Sequence, residues 1–470
     1  MVQFKELSKD FKRQFYSRSI LFAKYAIRDM PRDIDVLTVF EGAKVSIGGS
    51  KKLLETPNGQ HMAIMSLNLL SRFCSNIDIF ISPRIEMVID FPMARERYLL
   101  PNLQKLCKLI NPFIKVGLKV ESNKRYDASI VIGSSSVKAI RTISINSDGW
   151  ISYVNTEGDD LFSVSSNQNP IGAQLAACFG VAEIFKALFS RIPGCNPLDV
   201  APIGTFVFSS FDYGLKQGSI INPSLPDSVP LETVYFISVG AINSAAAYAL
   251  RSIPGICGRL VAIEPQILEI SNLGRYLLAT VNDVILKKSK VELLKSFFSA
   301  PFQVLTFHYD YRSGKQRHPI DLAVLGVDRN ESRWAVQEDF PRLILCGGTE
   351  LSFVRVSRHD DFLNKACVGC LYPKLPREGF TSSSGRAPVP TISFVSALAG
   401  IFLAAEIIKE RINGFQEGQL DSMLHLNALR APFFRITRPP KSPRCGCNCQ
   451  EPHIMESYKL RHHKVRQHDT

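Results

Sequence analysis

Six residues in the second half of this 470-residue chain have types and an order that could do chemistry together: Glu264, Asn272, Arg275, Lys288, Lys290 and Asp328. The apolar run Leu260–Ile263 ends on Glu264, and an acid at the end of a strand can accept both hydroxyls of a ribose. Asn272 and Arg275 follow closely, then the two lysines. A dinucleotide pyrophosphate is held mostly by backbone amides, whereas cleaving ATP between its α- and β-phosphates builds charge that cations must neutralise. Asp328 closes the run 321–327, where a carboxylate can hold Mg²⁺ against phosphates. Its other reading is a cap for a helix from Glu331. Upstream, Ser238-Val239-Gly240 turns from a strand into a helix. Gly240 would let the backbone approach a phosphate at that helix N-terminus, with Ser244 beside it. Ser238 and Asn243 stand where a fuller glycine turn would have glycines.

Cysteine supplies a second chemistry. Cys367-Val-Gly-Cys370 and Cys445-Gly-Cys447-Asn-Cys449 offer five thiols for a tetrahedral zinc site that needs four. Which two of the later three bind is open from spacing. No histidine or carboxylate leaves an open position, so the zinc reads as structural. Unligated thiols, or a redox pair at Cys367 and Cys370, are the bland alternatives.

These residues need strands and helices to hold them. The pattern predicts strands at 234–239, 260–263, 302–307, 321–328 and 343–346, alternating with helices, one of which starts near Ser244. That alternation predicts a parallel, doubly wound sheet with its site at the carboxyl ends of the strands. Residues 1–195 show a related pattern: a helix over Phe4–Ile27, buried strands at 76–82 and 128–133, and a hairpin about Ser147-Asp148-Gly149. An apolar helix then runs from Pro170 to Phe189, and a similar one follows Pro390. The fold class is therefore α/β, two Rossmann-like doubly wound halves, the second with a zinc knuckle. Residues 196–231, rich in Pro, Gly and Ser, read as a connector, 232–450 as the ATP-binding half, and 451–470 as a basic tail.

The chain is 45% hydrophobic, ample for two or three domains, and its net charge of +13 is scattered rather than in blocks. Nucleic acid as the main partner is therefore disfavoured. The start, Met1-Val-Gln-Phe-Lys-Glu, has charges where a signal peptide has its apolar core. The run 391–408 is interrupted by Ser393, Ser396 and Glu406 and reads as a buried helix, not a membrane span. Eleven cysteines, odd in number and clustered, indicate a reducing compartment, hence a cytoplasmic protein.

Taken in order, Glu264, Ser271-Asn272-Leu273-Gly274-Arg275, Lys288-Ser289-Lys290, Asp328, Cys367/Cys370 followed by Leu-Tyr-Pro, and the late cysteines resemble the ubiquitin-activating-enzyme superfamily of the ThiF/MoeB/HesA type. The resemblance covers roughly residues 232–450. Tyr16-Ser17-Arg18-Ser19-Ile20-Leu21 is similar to the family's opening helix, which lends an arginine to the partner's active site. The resemblance implies that Arg18 serves the second half's phosphates, and that the first half, which lacks the acid, Asn, Arg and Lys series, is an inactive adenylation half within a pseudo-dimer. It also implies ATP, Mg²⁺ and Zn²⁺ as cofactors. The implied substrate is the C-terminal carboxylate of a ubiquitin-like protein or peptide with a slim glycine tail, and the implied partner a conjugating enzyme, as in bacterial conjugation systems linked to phage defence; a homodimer is a further implied assembly. The sequence departs from the family in the loop 377–388, which has no cysteine where many relatives keep a thioester nucleophile. Cys346 and Cys257 are the substitutes, and both read as core thiols. An NAD-dependent oxidoreductase would leave Arg275, Lys290 and the cysteine clusters unexplained. A zinc-stabilised pseudoenzyme scaffold is the non-enzyme rival.

Overall fold

The computed structural model describes residues 8–118, 125–134, 137–157, 165, 167–215, 221–312, 319–362, 364–373, 390–430, 434–454, 456 and 458. The first half runs α1 (Lys9–Ala26), α2 (Val36–Gly42), β1 (Val45–Gly49), α3 (Lys51–Leu54), α4 (Pro57–Leu70), β2 (Asn76–Phe80), α5 (Leu99–Ile110), β3 (Lys115–Gly117), β4 (Tyr126–Ile132), β5 (Ala139–Asp148), β6 (Ile151–Asn155), α6 (Ile171–Phe189), α7 (Pro197–Val200) and β7 (Thr205–Ser209). The second runs β8 (Val229–Ile237), α8 (Ala241–Arg251), β9 (Ile256–Ile263), α9 (Val281–Ile285), α10 (Lys290–Phe297), β10 (Phe302–Phe307), β11 (Leu322–Leu325), α11 (Asn330–Glu338), β12 (Leu343–Glu350), β13 (Phe353–His359), α12 (Val368–Leu371), α13 (Ser393–Arg411), β14 (Met423–Asn427) and β15 (Phe434–Thr437).

The two sheets repeat one another strand for strand. Their orders are β3-β2-β1-β4-β5-β6-β7 and β10-β9-β8-β11-β12-β13-β14, to which the second adds β15. In both, the first five strands of that order are parallel and the rest antiparallel. The order reverses between β1 and β4, and again between β8 and β11. Open α/β sheets bind ligands at such a switch, beyond the carboxyl ends of the strands.

One apolar core spans both halves. The helices α6 and α13 lie in it, and both are apolar all round because protein covers every face. Each carries a buried stretch that differs at one residue: Ala182-Glu183-Ile184-Phe185-Lys186 in α6 and Ala405-Glu406-Ile407-Ile408-Lys409 in α13. In each the lysine pairs with the glutamate one turn back, and the glutamate also accepts a backbone N–H, from Ile203 at 3.2 Å and from Leu420 at 2.9 Å. Those bonds satisfy charges that would otherwise be costly to bury. Among the described residues α6 is the helix long and apolar enough to cross a membrane, and it is wholly buried; α13, read as a buried helix, is buried too.

Several sequence boundaries change. The first helix begins at Lys9, where the Ser8 hydroxyl accepts from the Phe11 N–H at 3.2 Å; residues 4–7 of the expected helix lie outside the described residues. The expected connector 196–231 contains α7 and β7, and β7 is an edge strand of the first sheet paired with β6, so that stretch is largely part of the first half. The predicted hairpin is present, Asp148 facing Ile151 across its turn. The loop 377–388 and most of the basic tail lie outside the described residues.

Candidate functional site

The site of the second half lies beyond β8, β9 and β11. After β8 the chain turns through Ser238, held at a positive φ of 65°, and Gly240 caps α8. Glu264 sits at the end of β9, buried. Its Oε2 accepts from the Ser238 hydroxyl at 2.8 Å and the Val239 N–H at 3.0 Å, and its Oε1 accepts from the Gln266 N–H at 3.0 Å. A carboxylate has about four acceptor positions. With three taken, Glu264 keeps about one for a ribose, not the pair of hydroxyls the sequence predicts.

Asn243 is not an eroded glycine but a brace. Its amide nitrogen donates to the carbonyls of Ser238 at 2.7 Å and Val324 at 3.2 Å, tying the tips of β8 and β11 across the switch. Its Oδ1 is buried without a hydrogen-bond partner. Nothing in the sequence distinguishes this asparagine from a polar turn residue. Ser244 is a correction: its hydroxyl donates to the Ala241 carbonyl at 2.9 Å inside α8, and the residue is fully buried, so it is spent on the helix and not offered to a phosphate.

Four expected residues converge electrostatically. Arg275 is pushed down to about 10, by burial first, then by the like charge of Arg18, against the pull of Asp328 and Glu269. Burial also lowers Lys290; Glu264 pulls it back up, Arg275 lowers it further, and Glu269 and Asp328 raise it. Arg18 is lowered by burial, with Glu269 pulling the other way. Arg18 comes from α1, so the first half delivers it. The α1 backbone approaches closely because residue 274 is glycine: a Cβ there would lie 3.2 Å from the Phe15 carbonyl oxygen.

Asp328 is exposed beyond the tip of β11. The helix-cap reading fails, because the cap of α11 is Arg329. Asn272 is buried, and its Oδ1 accepts from the Glu269 N–H at 3.0 Å to close a capping box around a single 3-10 turn, so that oxygen is engaged locally. Lys290 starts α10 and bonds the Gln266 side chain. Lys288 is a second correction: its Nζ pairs with Asp283 at 2.7 Å, away from the convergence. The short Lys288-Ser-Lys290 run thus sends one lysine to the site and the other to a neighbouring helix cap.

The matching crevice of the first half is built differently. Ile81 follows β2 where Glu264 follows β9. The link from β1 to α4 is longer than that from β8 to α8 and carries α3, whose Leu54 is fully buried. The Ser50 N–H donates to the Ile132 carbonyl at 3.0 Å, closing the gap between the tips of β1 and β4.

The cysteines gather at the far end of α11. Among the described residues, the Sγ atoms of Cys367, Cys370, Cys445 and Cys449 lie within 4.8 Å of one another and all four are buried. Their separations of 3.8, 3.4, 3.6 and 3.5 Å around the ring approach the roughly 3.8 Å edge of a tetrahedron with Zn–S bonds of about 2.3 Å. The donor set therefore fits Zn²⁺. Cys447 is the one of the three late thiols left outside the set: its thiol turns to the Trp334 carbonyl at 3.8 Å while its N–H donates to the Cys445 sulfur at 3.4 Å. Gly369 gives it room, since a Cβ there would lie 2.6 Å from the Cys447 sulfur. Cys346 is buried and Cys257 half-buried.

Residues 94–190 match the model of a family described as Prokaryotic E2 family C. The chain is 29% identical over 275 residues, 57% of its length, to the uncharacterized protein y4jF of Sinorhizobium fredii, and spans about half, 51%, of that relative. It is 28% identical over 205 residues to a sulfur carrier protein adenylyltransferase of Thermus thermophilus, covering 40% of this chain and 73% of that protein. Among solved structures, E. coli MccB with MccA covers 66% of this chain and 98% of its own, at 15% identity and a TM-score of 0.38. PaaA covers 44% and 72%, at 14% and 0.34. These two likenesses are too low to carry more.

The second half is thus a doubly wound α/β lobe, joined to a first half of the same topology that brings Arg18 within electrostatic reach of Arg275. In sequence the chain is similar to an adenylyltransferase of the sulfur carrier type over 40% of its length.

Proposed function

We propose that this protein activates the C-terminal carboxylate of a ubiquitin-like protein or peptide by MgATP-dependent adenylation, for transfer to a thiol or a conjugating enzyme. A carboxylate oxygen bonds the α-phosphorus, the α–β anhydride bond breaks, and pyrophosphate leaves with the electron pair. The observation that carries this reading is the convergence of Arg18, Arg275, Lys290 and Asp328 beyond the switch of the second sheet. The three cations neutralise charge as it builds on the phosphates, and holding them in place beforehand is the main source of rate. Gly240 leaves the start of α8 open to the α-phosphate. Glu264 takes one ribose hydroxyl, and the free side of the Asn272 amide faces a phosphate or the carboxylate. Asp328 would hold Mg²⁺, which when bound supplies charge neutralisation on the phosphates. The Cys367, Cys370, Cys445 and Cys449 site is structural. The first half, with Ile81 and α3 in its crevice, works as donor of Arg18 and not as a second catalyst.

A catalytically weak scaffold is the second reading, favoured by the three protein donors already on Glu264. ATP–pyrophosphate exchange with candidate ubiquitin-like partners separates the two. Exchange that depends on Asp328 supports the enzyme; none with a partner verified by binding leaves the scaffold.

A further inference from the structure

Arg72 lies just beyond α4 in the first half and is fully buried. Burial pulls it down to about 9. Every hydrogen bond of its guanidinium ends on a neutral oxygen. Nε and Nη2 donate to the Asn68 side chain at 3.0 and 2.8 Å. Nη1 donates to the Leu273 carbonyl, and Nη2 also reaches the carbonyls of Leu277 at 2.9 Å and Ala279 at 3.5 Å. The Asn68 amide adds a bond to Leu277 at 3.2 Å. Those three carbonyls belong to the second half and bracket Arg275.

A buried cation without a counter-ion is costly, and an apolar side chain would serve a plain interface better. At the opposite contact between the halves, Phe91, from the segment after β2, packs on Tyr248 of α8 with ring centroids 6.3 Å apart, and the arginine there, Arg251 at the end of α8, has a carboxylate partner in Asp90. Arg72 differs: its guanidinium ends on backbone carbonyls of the segment that carries Arg275. That segment lies outside helix and strand, so its carbonyls have no ladder, and five donors in a rigid plane can fix several of them at once.

We propose that Arg72, braced by Asn68, is a positioning residue for Arg275: the first half holds residues 273–279 from below while Arg18 approaches the same phosphates from α1. This rests on the adenylation reading. Arg72 acts through Arg275, so its effect must vanish when Arg275 is gone.

The test uses the full chain, with MgATP as the probe, measured by calorimetry, and hydrogen exchange of residues 273–279. Arg72→Met is expected to weaken MgATP binding about tenfold or more, the scale of lost charge-assisted bonds, to speed exchange in 273–279, and to add no further loss in an Arg275→Ala background. Asn68→Ala, which leaves the cation in place, is expected to shift the same readouts in the same direction by less, and it carries the test if Arg72→Met does not fold. Ser393→Ala is the control: it removes another buried bond between the halves, to the Leu69 carbonyl at 3.2 Å, and leaves both readouts unchanged. Equal losses with and without Arg275, or equal losses in the control, overturn the proposal. Tight MgATP binding by wild type that Arg72→Met and Asn68→Ala leave untouched overturns it alone. Wild type that binds no MgATP overturns it together with the adenylation reading.

Discussion

Arg18 and Arg275 come from opposite halves of the chain and lie near enough for Arg275 to feel the like charge of Arg18. With burial as the larger cause, that proximity helps draw the Arg275 guanidinium down to about 10. Cations brought together at the end of a sheet are destabilising until an anion joins them. Arg18→Ala is therefore expected to leave the fold intact, or slightly more stable, while exchange falls about 10²-fold, the usual scale for removing one preorganised donor to a developing charge. Thermal melts and exchange rates measured on the same preparation check both halves of that expectation.

Asp328 gives the cleanest separation of function from folding. It is exposed and caps nothing. Asp328→Ala is expected to abolish pyrophosphate exchange with a melting temperature unchanged from wild type. A variant that loses stability along with activity would assign Asp328 to the architecture instead.

The depressed cations set a pH limit with a definite sign. Arg275 and Lys290 are both lowered, chiefly by burial, so the charged form of Arg275 is lost as pH rises through about 10 and Lys290 gives up its proton earlier than an exposed lysine would. The unfolded chain keeps these protons to higher pH. Raising pH through this window therefore favours the nucleotide-free folded protein while weakening MgATP binding. Lys290→Arg is expected to move the alkaline limb of MgATP affinity upward; an unchanged limb would remove Lys290 from the phosphates.

Asn243 predicts a loss where the sequence pattern suggests a gain. Restoring the glycine with Asn243→Gly frees the carbonyls of Ser238 and Val324. It is expected to cost about 1–3 kcal/mol in denaturant unfolding and to weaken nucleotide binding, not strengthen it.

Zinc content distinguishes the five late thiols. The purified protein is expected to carry one equivalent. Cys445→Ser and Cys449→Ser should lose it, and Cys447→Ser should keep it, because that thiol points at Trp334. Less than about half an equivalent in wild type would remove the structural site.

Much of this was legible in the residues, for reasons that differ by element. Glu264 and Asp328 follow apolar runs long enough to be read as strands, and a strand tip is where a doubly wound sheet does its work; Arg275 and Lys290 stood out only by residue type and order after Glu264. The central strand β1 was not legible. Val45-Ser-Ile-Gly-Gly is short and half polar, and it is a buried strand because the Ser46 hydroxyl finds the Ser129 hydroxyl of β4 at 2.9 Å. Arg72 reads as an ordinary surface cation at a helix end until the other half covers it. The fates of Lys288 and Ser244 were settled by short-range competition, since each found a local acceptor, Asp283 and the Ala241 carbonyl, before any ligand could claim it.

The duplicated lobes have a further consequence. In a dimer of identical halves, a site completed by the neighbour's arginine empties as the protein is diluted. Here both belong to one polypeptide, so Arg18 meets Arg275 at a fixed local concentration set by the chain between them. Specific activity should not decline on dilution, because donor and acceptor stand in a fixed one-to-one ratio within the chain.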